Sequence, residues 1–305
     1  MRPLNYLTIV LLCVTLGVPI SGAAKSLSGA YLAARQADVE RDYRISEQYY
    51  TRALRQDPNN PALMEYLIMA HISLGQFAAA SPVAQRLDAQ QVDSQLVNMM
   101  QIATGAAQGQ YDDILLRMDQ GKGIGAPIDS LLVAWAITGQ GKMSDALAAF
   151  DSVAEKQGVE AFARYHKALA LAHAGDFESA AEIFEQTVDA GIRLTRRGVI
   201  AQIQVLSQLD LGDQAIVVLD RSFGASLDPE ISNLRQRLSA DETLDFSIVR
   251  TPREGLAEVF YSIANILSAD AEPDYTLFYT RIAEYLRPDH LDAVLFSASL
   301  LEQLE

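Results

Sequence analysis

Cysteine is all but missing: the 305 residues contain one, Cys13, and it falls inside an apolar run near the N-terminus. No internal disulfide is open to the chain, and a mature form without this segment has no thiol for nucleophilic catalysis. Positive charge is also scarce, with 24 Lys and Arg against 39 Asp and Glu and a net charge of -15. Nucleic-acid binding draws its affinity from clustered cations, so no such partner is expected. The one basic cluster, Arg193, Arg196 and Arg197, reads as a solvated helix face. The acidity favours solubility and resists nonspecific association.

Chemistry-bearing motifs are equally sparse. His71, His166, His173 and His290 are the only histidines and none sits in an HExxH spacing, so no metal site is expected. There is no GxSxG and no GxxxxGK(S/T). Gly121, Gly123 and Gly125 around Lys122 therefore read as a flexible connector and not as a phosphate loop. Asp112-Asp113 read as helix-start carboxylates meeting the helix dipole. The chain is expected to be no enzyme, with no catalytic residue, no cofactor and no small-molecule substrate.

What is present begins with an address. Arg2 is followed by an apolar run from Leu4 to Val18, then Pro19 and the small residues Ser21-Gly22-Ala23-Ala24. This is the layout of a secretory signal peptide over residues 1–23, with cleavage near Ala23. Its roughly 15 apolar residues fall short of the ~20 that span a bilayer, and retention as an anchor is the alternative. Leu11-Leu12 before Cys13 are too large for a lipid-modified cysteine. An exported protein is expected, periplasmic if the source is Gram-negative.

The rest is periodic. Gly75, Gly109, Gly141 and Gly175 stand 34, 32 and 34 residues apart, each followed two positions on by Phe77, Tyr111, Met143 or Phe177. Tyr43 extends the lattice backwards by 34, with Arg41 where the glycine would stand. Around Gly175-Asp176-Phe177 lie Ala168, Ala180 and Phe184; around the first turn lie Ala34, Ser46, Tyr50, Ala53 and Pro58. On these residues the chain resembles the tetratricopeptide repeat (TPR) family, which implies an all-α fold, an α-solenoid of antiparallel helical hairpins.

Five TPR-like hairpins are expected over residues 26–190. Asn60-Pro61 opens the second as cap and first helical position, Pro82 falls in the first turn of its second helix, and Ile114 stands in the third where Ala is usual. Residues 191–250 read as a degenerate repeat, with Gly212 at 37 residues from Gly175, plus a helix from Asp228 and, from Asp241 to Arg250, an irregular insertion or the seam between two sub-arrays. Residues 251–305 read as a TPR-like hairpin, opened by the capping box Thr251-Pro252-Arg253-Glu254, plus an unpaired helix. That helix, Leu291 to Glu305, is apolar on most sides. Either the chain is a fragment of a longer array, or the helix is buried in a partner or a second copy.

The resemblance also implies where a ligand lies: in the concave groove lined by the first helix of each hairpin. One row there contains Ala62, Leu96, Ile128 and Phe162, a second Tyr31, Glu65, Met99, Leu131 and Tyr165, and a third Met69, Ala103, Trp135 and Leu169. The candidate peptide groove is Tyr31, Met69, Met99, Leu131, Trp135, Phe162, Tyr165 and Leu169. Such apolar rows suit an amphipathic helix or an extended apolar peptide. Superhelical curvature, or a register one residue off, places the same side chains in the core. Phe162, Tyr165 and Leu169 stand where a carboxylate clamp would need Lys, Arg or Asn, which argues against that ligand class. The expected role is a scaffold that binds a protein or peptide partner in the cell envelope; self-association through Leu291 to Glu305 is the alternative.

Overall fold

The computed structural model describes residues 27–191, 193–224 and 228–304. The leader assigned to residues 1–23, with Cys13, lies outside them. Among the described residues there are sixteen helices and no strand. The first ten form five hairpins: α1 (Leu27–Val39) with α2 (Tyr43–Gln56), α3 (Pro61–Ser73) with α4 (Phe77–Ala89), α5 (Gln95–Gln108) with α6 (Tyr111–Asp119), α7 (Ile128–Gly139) with α8 (Met143–Ala154), and α9 (Glu160–Ala174) with α10 (Phe177–Asp189). A sixth pairs α11 (Arg196–Gln208) with α12 (Gly212–Phe223).

One turn motif closes these hairpins. At Gly109, φ is 71°; its N–H donates to Ala106 O at 3.2 Å, and the next N–H, of Gln110, donates to Gly105 O at 2.8 Å. This left-handed reversal is cheapest for a residue without a Cβ, which explains the glycine lattice. Arg41 (φ 55°) and Asp210 (φ 59°) make the same pair of bonds. The sixth turn therefore lies at Asp210, 35 residues after Gly175, and Gly212 instead opens α12. That hairpin keeps the repeat more closely than its glycine suggests.

Side-chain sizes are matched between helices. Tyr50, Phe150 and Phe184 are almost fully buried together with Ala34, Ala134 and Ala168. Where Ile114 replaces the usual Ala, α5 presents Gly105, whose Cβ would lie 3.2 Å from Ile114 Cγ1. Bulk added on one helix is thus removed from its neighbour, as close packing requires. Pro82 is the sixth residue of α4 and not in its first turn. The carbonyl of Ala78 that it leaves without an N–H lies on the exposed face, where water can serve it.

After α13 (Pro229–Ser239) the same turn recurs at Asp241, yet no partner helix follows. Residues 242–250 run as a strap along α11. A backbone without helix or sheet must find other partners, and side chains provide them. Leu244 N–H donates to Ser207 Oγ (2.8 Å), Ser247 N–H donates to Gln204 Oε1 (2.9 Å), and Gln208 Nε2 donates to Leu244 O (2.6 Å). Arg197 and Arg287 both donate to Ile248 O, at 3.3 and 2.6 Å.

Thr251 then caps α14 (Pro252–Leu267), its hydroxyl accepting from Glu254 N–H at 3.3 Å. The Glu254 carboxylate turns back to Arg250 N–H at 2.9 Å, a variant of the capping box. α15 (Pro273–Leu286) pairs with α14, and α16 (Leu291–Leu304) packs on α15 through Ala293, Ser297, Leu300 and Leu304. Leu291, Val294 and Leu295 remain exposed on its other side. The strap returns the chain onto the array: α14 lies against α5, α7 and α9, and α15 against α3 and α5. No described helix is long and apolar enough to cross a membrane.

No heavy atom lies within 4 Å of a Cβ built at Gly109 or Gly175, so backbone strain alone opposes a side chain there. Gly109→Ala and Gly175→Ala are each expected to lose about 1 kcal/mol in urea unfolding, and the losses to add in the double variant. Unchanged stability would remove conformation as the reason for the lattice.

Candidate interaction groove

The first helices of the hairpins, α3, α5, α7 and α9, carry the apolar rows on a shared face, and that face is covered by the chain itself. Met99, Leu131, Trp135 and Leu169 are at most 1% exposed. Tyr31, Met69, Phe162 and Tyr165 are partly buried and pack against the same core. The hairpin α14–α15 lies over α3, α5, α7 and α9.

Contact is closest at Trp135. A Cβ at Gly255 of α14 would lie 2.2–2.5 Å from three atoms of the Trp135 indole, so glycine alone permits this approach. The indole has little room to yield: its Nε1–H donates to His166 Nδ1 at 3.0 Å, and its ring meets Phe150 edge-on, centroids 5.7 Å apart. Toward the N-terminal hairpins, Tyr285 stacks on Phe77 at 4.3 Å, Tyr275 Oη donates to Gln95 Oε1 at 3.1 Å, and Arg281 Nε donates to Ser73 O at 3.2 Å. Tyr43 Oη donates to Asp274, with Arg41 3.6 Å from the same carboxylate.

One turn beyond Gly255 the interface becomes ionic. Glu258 is 1% exposed and accepts from Arg197 Nε at 3.0 and 2.9 Å and from Tyr165 Oη at 2.9 Å, with Arg197 Nη2 2.7 Å away as an ion pair. His290 Nε2 lies 3.4 Å from the carboxylate, an electrostatic contact without hydrogen-bond alignment. Arg197 also reaches Asp292 at 3.0 Å. Burial pushes the Glu258 carboxyl up, but the Arg197 guanidinium and His290 more than offset this and hold it well below the usual carboxylate range. Burial, with Glu258 beside it, pushes the Tyr165 phenol well up. Removing one partner of such a buried pair costs on the order of 3–5 kcal/mol, because the other charge is left in the interior.

The basic cluster is therefore not a solvated helix face. Arg197 is buried on Glu258 and Asp292, and Arg196 bridges Asp228, Glu230 and Asp292, while Arg193 is exposed. Pattern reading placed Arg197 on the surface and missed Gly255 and Glu258. The available signal was a glycine inside a strongly helical stretch, where it weakens the helix unless something approaches closely.

The glycine-rich loop is pinned and not a flexible connector. Asp129 accepts from the N–H groups of Ile124 (2.7 Å) and Gly125 (3.1 Å), and Asn98 and Gln95 donate to Gly123 O and Ile124 O. A Cβ at Gly123 would lie 2.1 Å from Asp129 Oδ2. The chain's own carboxylate thus takes the donors that a phosphate loop would offer to a ligand. Among the described residues no group of three His, Cys, Asp or Glu side chains could hold a metal ion. A separate cleft of about 730 Å³ lies between α10, α11 and α12, with carboxylates (Glu185, Asp189) and guanidinium groups (Arg193, Arg221) both on its walls.

Two segments match family models described as tetratricopeptide repeat, over residues 40–101 and 138–193. The chain contains tetratricopeptide repeats. The first TPR match spans α2 to α4 and the start of α5, and the second spans the turn before α8 through α10. Among solved structures, the crystal structure of the P58(IPK) TPR domain is similar over 91% of this chain and 89% of that one, at 14% identity and a TM-score of 0.26. No curated protein matches the sequence.

The Trp135 partner gives the TPR core a pH signature. His166 is fully buried with Nε2 unpartnered, and burial, opposed by Glu258, pushes its pKa from 6.5 down to about 4. The folded state thus keeps it neutral where the unfolded chain takes up a proton, so stability falls as pH drops from 6.5 toward 4. Burial shifts His173 in the same direction. Glu258 contributes its loss only below about 4.5, its ordinary value. Between pH 7 and pH 5, His166 is expected to account for about 2 kcal/mol of lost stability. Urea unfolding of the wild type and His166→Gln at both pH values checks this; an equal pH slope in the two would overturn it.

Proposed function

We propose that this chain is a non-catalytic protein-interaction scaffold of the cell envelope, and that its concave TPR groove is a helix-binding surface whose ligand in the resting molecule is α14. TPR arrays are generally non-catalytic scaffolds that bind proteins. The observation that carries the reading is the seat of α14: a helix buried on all sides from Glu254 to Phe260, lying against α5, α7 and α9 with its Gly255 against Trp135. Helix-in-groove recognition has this geometry, with aromatic and Met side chains as the contact surface. A partner helix enters by taking the place of α14. The leader pattern from Arg2 to Ala24 supports the envelope address.

The test uses the full chain expressed with a C-terminal tag. Fractionation is expected to place it in the envelope, and crosslinking there to capture a protein partner at higher yield with Gly255→Leu, which drives α14 off Trp135, than with the wild type. Cytosolic retention would overturn the address. Equal capture by both chains would move the partner off the groove.

A second reading, a self-associating structural subunit, is favoured by one feature. Leu291 and Leu295 of α16 are each 60% exposed, and Val294 lies on the same side. Sedimentation velocity separates the two readings: self-association predicts a dimer that Leu295→Asp converts to monomer, and a wild-type monomer at micromolar concentration would exclude it.

A further inference from the structure

The way α14 is held also specifies which helices can replace it. Two features of the interface are selective and the remainder is general apolar burial. First, the approach at Trp135 admits no side chain: a Cβ at position 255 would collide with the indole, and the indole is fixed by His166 and Phe150. Second, Arg197 of α11 and Tyr165 of α9 belong to the array and stay behind when α14 leaves. Their donors converge on one carboxylate. Asp292, the other carboxylate on Arg197, sits at the start of α16 and belongs to the C-terminal part of the chain with α14. An incoming apolar helix without an acid would leave a guanidinium in the interior, which is strongly unfavourable. Residues 255 and 258 are three apart and so lie on one helix face.

We propose that the groove selects apolar helices carrying glycine and, three positions later, glutamate, and that α14 is a built-in competitor for such a segment. The inference rests on the helix-groove reading above and adds the ligand's chemistry. Glycine permits helix-to-indole contact; glutamate takes the bonds from Arg197 and Tyr165. Recognition therefore depends on the carboxylate as well as on hydrophobic area. The cis segment acts at high effective concentration, so free helices bind only when α14 is weakened.

The sole tryptophan, Trp135, reports the state of the groove, being fully covered when α14 is seated. The probe is a fluorescein-labelled peptide of residues 251–267, which contains no tryptophan, together with its Glu258→Gln and Gly255→Leu forms. Each is titrated by anisotropy into the full wild-type chain and into two chain variants, Glu258→Ala and Gly255→Leu, with circular dichroism to confirm that the helices remain. Acrylamide quenching of Trp135 should rise in both chain variants. The wild-type peptide should bind them at least tenfold more tightly than it binds the wild-type chain. Against the opened chains, the Glu258→Gln peptide should bind at least tenfold more weakly than the wild-type peptide, and the Gly255→Leu peptide should not bind detectably. Equal binding by the wild-type and Glu258→Gln peptides would overturn the selectivity and leave the groove reading standing. Opened chains that bind no peptide would overturn the groove reading itself. If Trp135 stays protected in both chain variants, α14 is a permanent part of the core and no competitor.

Discussion

A guanidinium and a carboxylate, both out of water, join the two parts of this molecule. Arg197 belongs to the sixth hairpin and Glu258 to the returning one, and each is nine-tenths or more buried. Desolvating two charges is costly, and their attraction repays it only when the remaining donors and acceptors are also met. Here they are: Tyr165 donates to the carboxylate, and Asp292 and Ile248 O accept from the guanidinium. The set closes in one arrangement of α9, α11, α14 and the strap, so it gives the docked hairpin its position, while apolar burial supplies the bulk of its stabilisation.

That docking changes the character of the array. In an open solenoid each repeat touches only its neighbours, and stability is a sum of local terms. Here Tyr165 bonds Glu258 across 93 residues, Gln95 bonds Tyr275 across 180 and Ser73 bonds Arg281 across 208. Such contacts tie the second, third and fifth hairpins to one returning element. The face formed by the first helices is, in this chain, an intramolecular interface, and most of its apolar rows are core.

Much of this was legible because helix packing has a short repeat. The turn glycines, the small residues and the second-helix aromatics each answer a local demand, so a helical-hairpin repeat could be read from their spacing and the cap at Asn60 from the Asn-Pro pair. Other readings failed where one residue type can meet the demand of another. Asp210 makes the left-handed turn at a cost that glycine avoids, so a search for glycine slid to Gly212. Pro82 sits inside α4 because its orphaned carbonyl faces solvent. The loop around Gly123 looked flexible because its clamp, Asp129, belongs to the next helix.

Residue order by itself determined the all-α hairpin array, the turns that carry glycine, and the apolar rows on its first helices, since each depends on neighbours within about one repeat. Tertiary structure alone decided that these rows are covered, that Arg197 is buried and that Gly255 meets Trp135. The reason is distance along the chain: whether an apolar face is groove or core depends on what returns to cover it, and the covering helix begins more than a hundred residues after Trp135.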